Sequence, residues 1–289
     1  SGGIHVIQML KLLEPYNLVA MGHNSASYLH RVIESMKLAY ADRSKHLGDP
    51  DQTRVPMAAL IADDYADSRR QLIKDNRATP SSEIQAGDLL SPEGRDTTHY
   101  SVADSAGNVV SNTYTLNWDY GSGVVVKGAG FLLNDEMDDF SSKPGVANAF
   151  GVVGGDANAI EPGKRMLSSM APTLVTRDGK VTLVLGTPGG SRIFTSIFQV
   201  LNNLYDYNLP LEKAVAAQRV HHQLLPKDTI YFDAYAPLTG KVAEELKKMG
   251  YILEDQGWEM GDIQAIRVNG AALETASDPR GRGVGHVVK

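Results

Sequence analysis

Apolar residues in the first quarter of the chain recur every three or four positions. In IHVIQMLKLLEPY, Ile4, Ile7, Met9, Leu10 and Leu13 fall at that spacing and predict a helix. SASYLHRVIESMKLAYADRSKHL opens on a serine able to cap a helix and keeps the same period for several turns. PMAALIADDYADSRRQLI sets a proline at a plausible first helical position. The period then stops. Residues 79–96, TPSSEIQAGDLLSPEGRD, are rich in Pro, Ser, Gly and charge and predict an exposed connector.

At Thr97 the period becomes that of strands. THYSVAD, NVVSNTYT, GVVVKG, GFLLND, PTLVTRDGKVTLVLG and AIRVNGAALETAS are short strand-like runs with turn signals between them. RDGK is a hairpin turn in which Gly179 is free to take positive φ. Helical spacing returns at 192–206, 211–219 and 238–249. Helices, then strands, then both together predict an α+β fold with a largely antiparallel sheet.

The strands at 97–115 carry candidate chemistry. A loop of Ser105, Ala106 and Gly107 places Asp104 opposite Asn108. Counting back, Thr97 lies opposite Thr115 and on the same face, which Asn117 also shares. Opposed Cβ atoms are about 4.5–5.5 Å apart, so the two hydroxyls come within bonding reach. A threonine hydroxyl is a weak nucleophile without a base, and an N-terminal Thr supplies its own α-amine. That needs a cut between Asp96 and Thr97, and the connector makes the junction accessible. Thr97 itself could cut, by attacking the Asp96 carbonyl. The plainer reading is that TTHYS merely starts a strand.

Other segments extend the chemistry. VTLVLGTPGGSRIFTSIF runs from a strand through Gly189 and Gly190 into a helix, and such a turn can aim backbone N–H groups at an oxyanion. LLNDEMDDFSSKPG gathers Asp135, Glu136, Asp138 and Asp139; it reads as a solvated turn or as a site for a substrate ammonium, and it lacks calcium-loop spacing. Ser168 and Ser169 lack a GxSxG or SxxK context and suit carboxylate donors better than nucleophiles. His221 and His222 are adjacent, cannot share a helix face, and read as structural. There is no GxxxxGK[ST] and no GxGxxG.

Composition narrows the field further. The chain has no Cys, which excludes disulfides, thiol catalysis and Cys-ligated zinc. A net charge of −6 without a long basic run points away from nucleic acid. No apolar run approaches the roughly 18 residues of a membrane helix. The chain begins SGGIHVIQML without an initiator Met and reads as trimmed or as part of a longer one.

TTHYSV, TYTLN, LLNDEMDDFSSKPGV, GKRMLSSMAPT, TPGGSRI, RVHHQLLP and ASDPRG together resemble the γ-glutamyltransferase family, also called glutathione hydrolases. These are N-terminal-nucleophile hydrolases. The segments follow in order over essentially the whole chain, which makes a set of individually weak motifs specific. The resemblance implies a four-layer αββα sandwich and a precursor that cuts itself in two. Residues 1–96 would be the C-terminal part of the large subunit and 97–289 the small, catalytic one. It implies a γ-glutamyl substrate such as glutathione, no cofactor, and a periplasmic or secreted location. By the same resemblance Thr97 is the nucleophile and Thr115 its supporting hydroxyl. Asn117, Glu136 and Asp139 hold the α-amino end of the γ-glutamyl group. Ser168 and Ser169 touch its α-carboxylate, Gly189 and Gly190 form the oxyanion hole, and 144–155 form a lid. Two departures stand out. The family arginine that clamps the α-carboxylate lies upstream of this chain's first residue, and Phe150 replaces a lid Tyr found in many bacterial members. Glutaryl-cephalosporin acylase chemistry on the same fold, or an uncut inactive precursor, are the alternatives.

Overall fold

The computed structural model describes residues 2–85, 97–143, 145–146, 152–257, 259–270 and 272–288. The upstream third is helical: α1 (Gly2–Leu13), α2 (Leu18–Met21), α3 (Ala26–His46), α4 (Met57–Leu60) and α5 (Asp63–Arg70). Ser25 caps α3 by accepting the Tyr28 N–H at 3.2 Å, as its sequence predicts. An apolar period by itself implies one buried face, yet α3 is buried almost all round. Several of its charged residues tolerate this because they pair internally. Lys37 Nζ donates to Glu34 at 2.9 Å, the Tyr251 hydroxyl donates to the same carboxylate at 2.8 Å, and Asp42 meets Arg69 at 3.1 Å.

The helix expected from PMAALIADDYADSRRQLI is two helices, α4 and α5. Ile61 leaves helical geometry, Ala62 is extended, and Asp63 and Asp64 open a new first turn where negative charge is favoured. Pro56 stands at the N-cap instead of the first helical position.

The downstream part contains β1 (Thr97–Ala103), β2 (Val109–Thr115), β3 (Thr173–Arg177), β4 (Lys180–Gly186), α6 (Arg192–Tyr205), α7 (Leu211–Ala216), β5 (Thr229–Phe232), α8 (Gly240–Lys248), β6 (Ile252–Asp255), β7 (Gln264–Asn269) and β8 (Ala272–Ser277). A four-stranded antiparallel sheet runs β3-β4-β7-β8. The β3–β4 turn takes positive φ at both Asp178 (51°) and Gly179 (74°), the twist a two-residue hairpin needs. β5 and β6 form a separate parallel pair, too short to show a period in the sequence.

Leu183, Val184 and Leu185 are successive in β4 and all buried, so both faces of that strand are covered. Leu183 and Leu185 join the main core with Met9 of α1, Leu29, Ile33 and Met36 of α3, and Phe194, Ile197 and Phe198 of α6. On the other face the β1–β2 hairpin lies over β4 and β7. Gly186 is essential to that fit: a Cβ there would sit 2.2 Å from the His99 ring. Helices, sheet and hairpin are three successive layers of the expected αββα sandwich. The outer face of the hairpin, with Tyr100, Val102, Val110 and Tyr114, is exposed.

The strands expected at 123–128 and 130–135 do not form. That stretch has a single bridge, Val125 to Leu132, and its Val124, Val125, Phe131 and Leu133 are exposed. Gly121, Gly123, Gly128 and Gly130 all take positive φ, so tight turns interrupt the extended backbone. α7 also ends earlier than its pattern predicts, because Ala217 is extended. Arg219 then enters the interior, where it pairs with Asp278, while Arg280 Nε meets Asp233 at 2.6 Å.

Candidate active site

The hairpin register is the one that loop length predicts. Asp104 N–H donates to the Asn108 carbonyl at 3.0 Å, Gly107 has φ 88°, and Thr97 pairs with Thr115. Thr97 Oγ1 donates to Thr115 Oγ1 at 3.3 Å, and Asn117 N–H donates to the same oxygen at 2.8 Å. Asn117 reaches the site differently from the strand argument. β2 stops at Thr115, and Asn117 takes φ 81°, a left-handed conformation that Asn tolerates. It is buried, and its amide donates to the Asp135 carbonyl at 3.3 Å. Thr115 therefore joins the Thr97 hydroxyl to the Asn117 backbone. Thr115→Ala removes an orienting acceptor without touching a binding charge. In steady-state assays kcat should fall by about tenfold or more while KM changes little.

A pocket of about 370 Å³ opens at this point. Its wall includes Thr97, Thr115, Asn117, Asp139, Ser168, Ser169 and Gly190. These come from the hairpin, an acidic 3₁₀ turn at Glu136–Asp139, the segment before β3, and the turn between β4 and α6. Gly189 (φ 129°) and Gly190 (φ 55°) make that last turn, and Thr187 Oγ1 anchors its approach by accepting the Asp262 N–H at 2.7 Å. Gly190 lines the pocket. Gly189 sits one residue back, where its backbone passes close to Gly261, with 3.5 Å between a Cβ built there and the Gly261 Cα. Glu136 is half-buried beside the pocket and is not on its wall.

Three pocket neighbours were not legible in the sequence. Arg43 of α3 donates Nη2 to Ser169 Oγ at 3.0 Å. Tyr40, one turn earlier, donates its hydroxyl to the Ser191 carbonyl at 2.5 Å, and Ser191 itself lines the pocket. The only signal for Arg43 and Tyr40 was polar and charged residues inside the helical run YADRS, and Ser191 follows the glycine pair in TPGGSRI.

Charge is unevenly placed. Burial raises the Asp139 carboxyl to about 7; Arg43 pulls it down, while Glu136, Asp138 and Asp135 push it further up. Burial also raises Glu136, with Asp135 adding to it. A carboxylate that burial makes reluctant to ionise is one that a bound cation would stabilise.

His99, two residues from Thr97, bonds Thr113 Oγ1 at 2.7 Å and Ser101 Oγ at 3.1 Å, and burial lowers its pKa to about 4. It is a neutral bracket between hairpin and sheet. His221 and His222 are buried among protein partners, Thr195 and Gln223 for the first and the Leu224 N–H for the second. Among the described residues no group of His, Asp and Glu is placed to hold a metal ion. Nor is any described helix long and apolar enough to cross a membrane. Asp96, Phe150 and much of the 144–155 segment lie outside the described residues.

A paired threonine at a strand start, a glycine turn beside it and stacked β layers under helices define an N-terminal-nucleophile hydrolase scaffold. The family model for Gamma-glutamyltranspeptidase matches residues 1–288, and the chain belongs to that family. It is 69% identical, over its whole length, to the glutathione hydrolase proenzyme of Pseudomonas aeruginosa, of which it covers 52%. The chain thus spans about half the length of the curated relatives it matches. A solved γ-glutamyltranspeptidase chain from Pseudomonas nitroreducens, complexed with L-DON, is 88% identical over 66% of this chain and 100% of its own, with a TM-score of 0.65. The cephalosporin acylase of Bacillus halodurans covers 99% of this chain and 50% of its own at 24% identity and a TM-score of 0.79, a likeness of fold alone.

Proposed function

We propose that the protein of which this chain forms part hydrolyses and transfers γ-glutamyl groups through an ester on Thr97. The observation that carries the reading is one pocket whose wall brings the threonine pair together with Asp139 and Asn117 and with Ser168 and Ser169. A γ-glutamyl group carries an ammonium and a carboxylate on one carbon, and a wall with both an acid and hydroxyl donors suits it.

The chemistry runs in two stages. In the precursor, Thr97 Oγ1 attacks the Asp96 carbonyl carbon, the Asp96–Thr97 amide breaks, and water opens the ester. Asp96 is left with a carboxylate and Thr97 with a free α-amine. In turnover that amine takes the hydroxyl proton, Oγ1 attacks the γ-carbonyl, and the amine of the leaving group departs with the proton. Backbone N–H groups at Gly189 and Gly190 stabilise the oxyanion. Water or an amino group then attacks the ester and regenerates Thr97. Residues 1–96 and 97–289 are the two sides of the cut. The 66% share of this chain matched by the solved P. nitroreducens chain fits a separate downstream subunit. Glutathione is the natural substrate on this reading, in a periplasmic or secreted setting.

The glutaryl alternative is disfavoured by Asp139. A glutaryl group has no ammonium and leaves that half-buried carboxylate unpaired. The test is kcat/KM for a γ-glutamyl anilide and a glutaryl anilide across pH. Deprotonation of the Thr97 amine, ordinarily near 7.7–8.0 and so on the order of pH 8, affects both substrates and cancels in the ratio. Asp139 is raised to about 7, so it loses its charge as pH falls through that value. The γ-glutamyl to glutaryl ratio should therefore drop by about tenfold per pH unit below the Asp139 pKa. A pH-independent ratio would contradict the proposal.

A further inference from the structure

Arg43 stands out among the buried charges. Its side chain is 6% exposed, and its pocket-facing end touches the Leu167 carbonyl at 3.5 Å and Ser169 Oγ at 3.0 Å. Three other buried cations have carboxylate partners: Lys37 has Glu34, Arg219 has Asp278 and Arg280 has Asp233. Among the described residues no carboxylate lies within ion-pairing distance of Arg43. Asp139 interacts with Arg43 electrostatically without forming an ion pair, and a buried guanidinium with no directly bonded anion is costly; carbonyl and hydroxyl partners only partly offset that cost. The pocket is the open side from which an anion can come.

We infer that Arg43 is a substrate-binding residue: it holds Ser169 in place and supplies positive charge for the α-carboxylate of the γ-glutamyl group. This rests on the γ-glutamyl reading. The Arg43 N–H occupies a lone pair of Ser169 Oγ, which leaves the Ser169 O–H free to donate into the pocket. α3 gives the arginine a rigid mount. On the same helical face the Tyr40 hydroxyl bonds the Ser191 carbonyl, and the Ser44 carbonyl accepts the Gly155 N–H at 2.7 Å. The helix thus fixes the Ser169 side of the pocket relative to the glycine turn. Arg43 and Asp139 line the same pocket and supply the two opposite charges that a zwitterionic α-carbon needs. Any further arginine from upstream sequence would act beside Arg43.

The test uses the full-length, processed protein with Arg43→Gln and Arg43→Lys. Two anilides are compared: the γ-glutamyl compound, and the 4-aminobutyryl compound, which keeps the amine and lacks the α-carboxylate. For Arg43→Gln, kcat/KM on the γ-glutamyl anilide should fall by about ten- to a hundredfold, mainly through KM. Both anilides are assayed well above pH 7, where Asp139 is ionised with or without Arg43, and there turnover of the 4-aminobutyryl anilide should stay within about threefold. Arg43→Lys should recover part of the loss. Equal loss on both substrates would reduce Arg43 to a structural residue and overturn the inference. If Arg43→Gln fails to fold or process, Arg43→Lys decides by the same comparison: a loss confined to the γ-glutamyl substrate supports the role and an equal loss overturns it. A wild type that turns over neither anilide would defeat the γ-glutamyl reading itself, and this inference with it.

Discussion

Thr97→Ala should leave the chain uncut and inactive. On the proposed mechanism the hydroxyl at residue 97 is the attacking atom both in the self-cleavage and in turnover, and no other group in that scheme replaces it. Thr115, whose hydroxyl is 3.3 Å from that of Thr97, lies within the chain and has no free α-amine to take its proton. The two failures should appear together: one full-length band on a denaturing gel, and γ-glutamyl anilide turnover reduced by several orders of magnitude. Thr97→Ser keeps an attacking oxygen and should retain part of both. If purified Thr97→Ala still separates at Asp96–Thr97, an outside protease makes the cut and the self-processing scheme fails.

Asp139→Asn shifts the acyl preference. The carboxylate is buried enough to be raised to about 7, with Arg43 the main influence holding it lower. On the γ-glutamyl reading it meets the substrate ammonium, a charge-assisted bond worth about 1.5–3 kcal/mol. Loss of that bond lowers γ-glutamyl kcat/KM by about one to two decades. The same change removes a half-buried charge that a glutaryl group leaves unpaired, so glutaryl turnover should hold or rise. The ratio of the two rates is the readout. An unchanged ratio would make Asp139 an acidic turn residue and remove the main support for γ-glutamyl selectivity. The variant should also lose the steep pH dependence of that ratio below neutrality.

What was legible in the sequence followed from local rules. Asp104 and Gly107 fix the hairpin loop, the loop fixes the register, and the register brings Thr97 to Thr115 without any tertiary information. Gly189 and Gly190 were visible because a strand, a glycine pair and a helix adjoin in sequence. Asn117 was placed in the pocket for the wrong local reason, since its approach depends on positive φ and not on strand alternation. The arch at 123–135 looked like strands because its valines and leucines suit them, but β pairing needs a partner that the glycine turns deny it. Arg43 and Tyr40 were illegible because their partners lie 126 and 151 positions away. A helical period tells which face is apolar. It does not tell which polar residue will end against a pocket assembled from distant segments.

The most direct test is the mass of the fragment beginning at Thr97 after the processed protein meets a γ-glutamyl anilide and is quenched in acid during turnover. The account predicts one γ-glutamyl group on the peptide whose first residue is Thr97, attached through its side-chain oxygen. A γ-glutamyl group carried instead by Ser168 or Ser169, or turnover by a chain still continuous through Asp96 and Thr97, would contradict it.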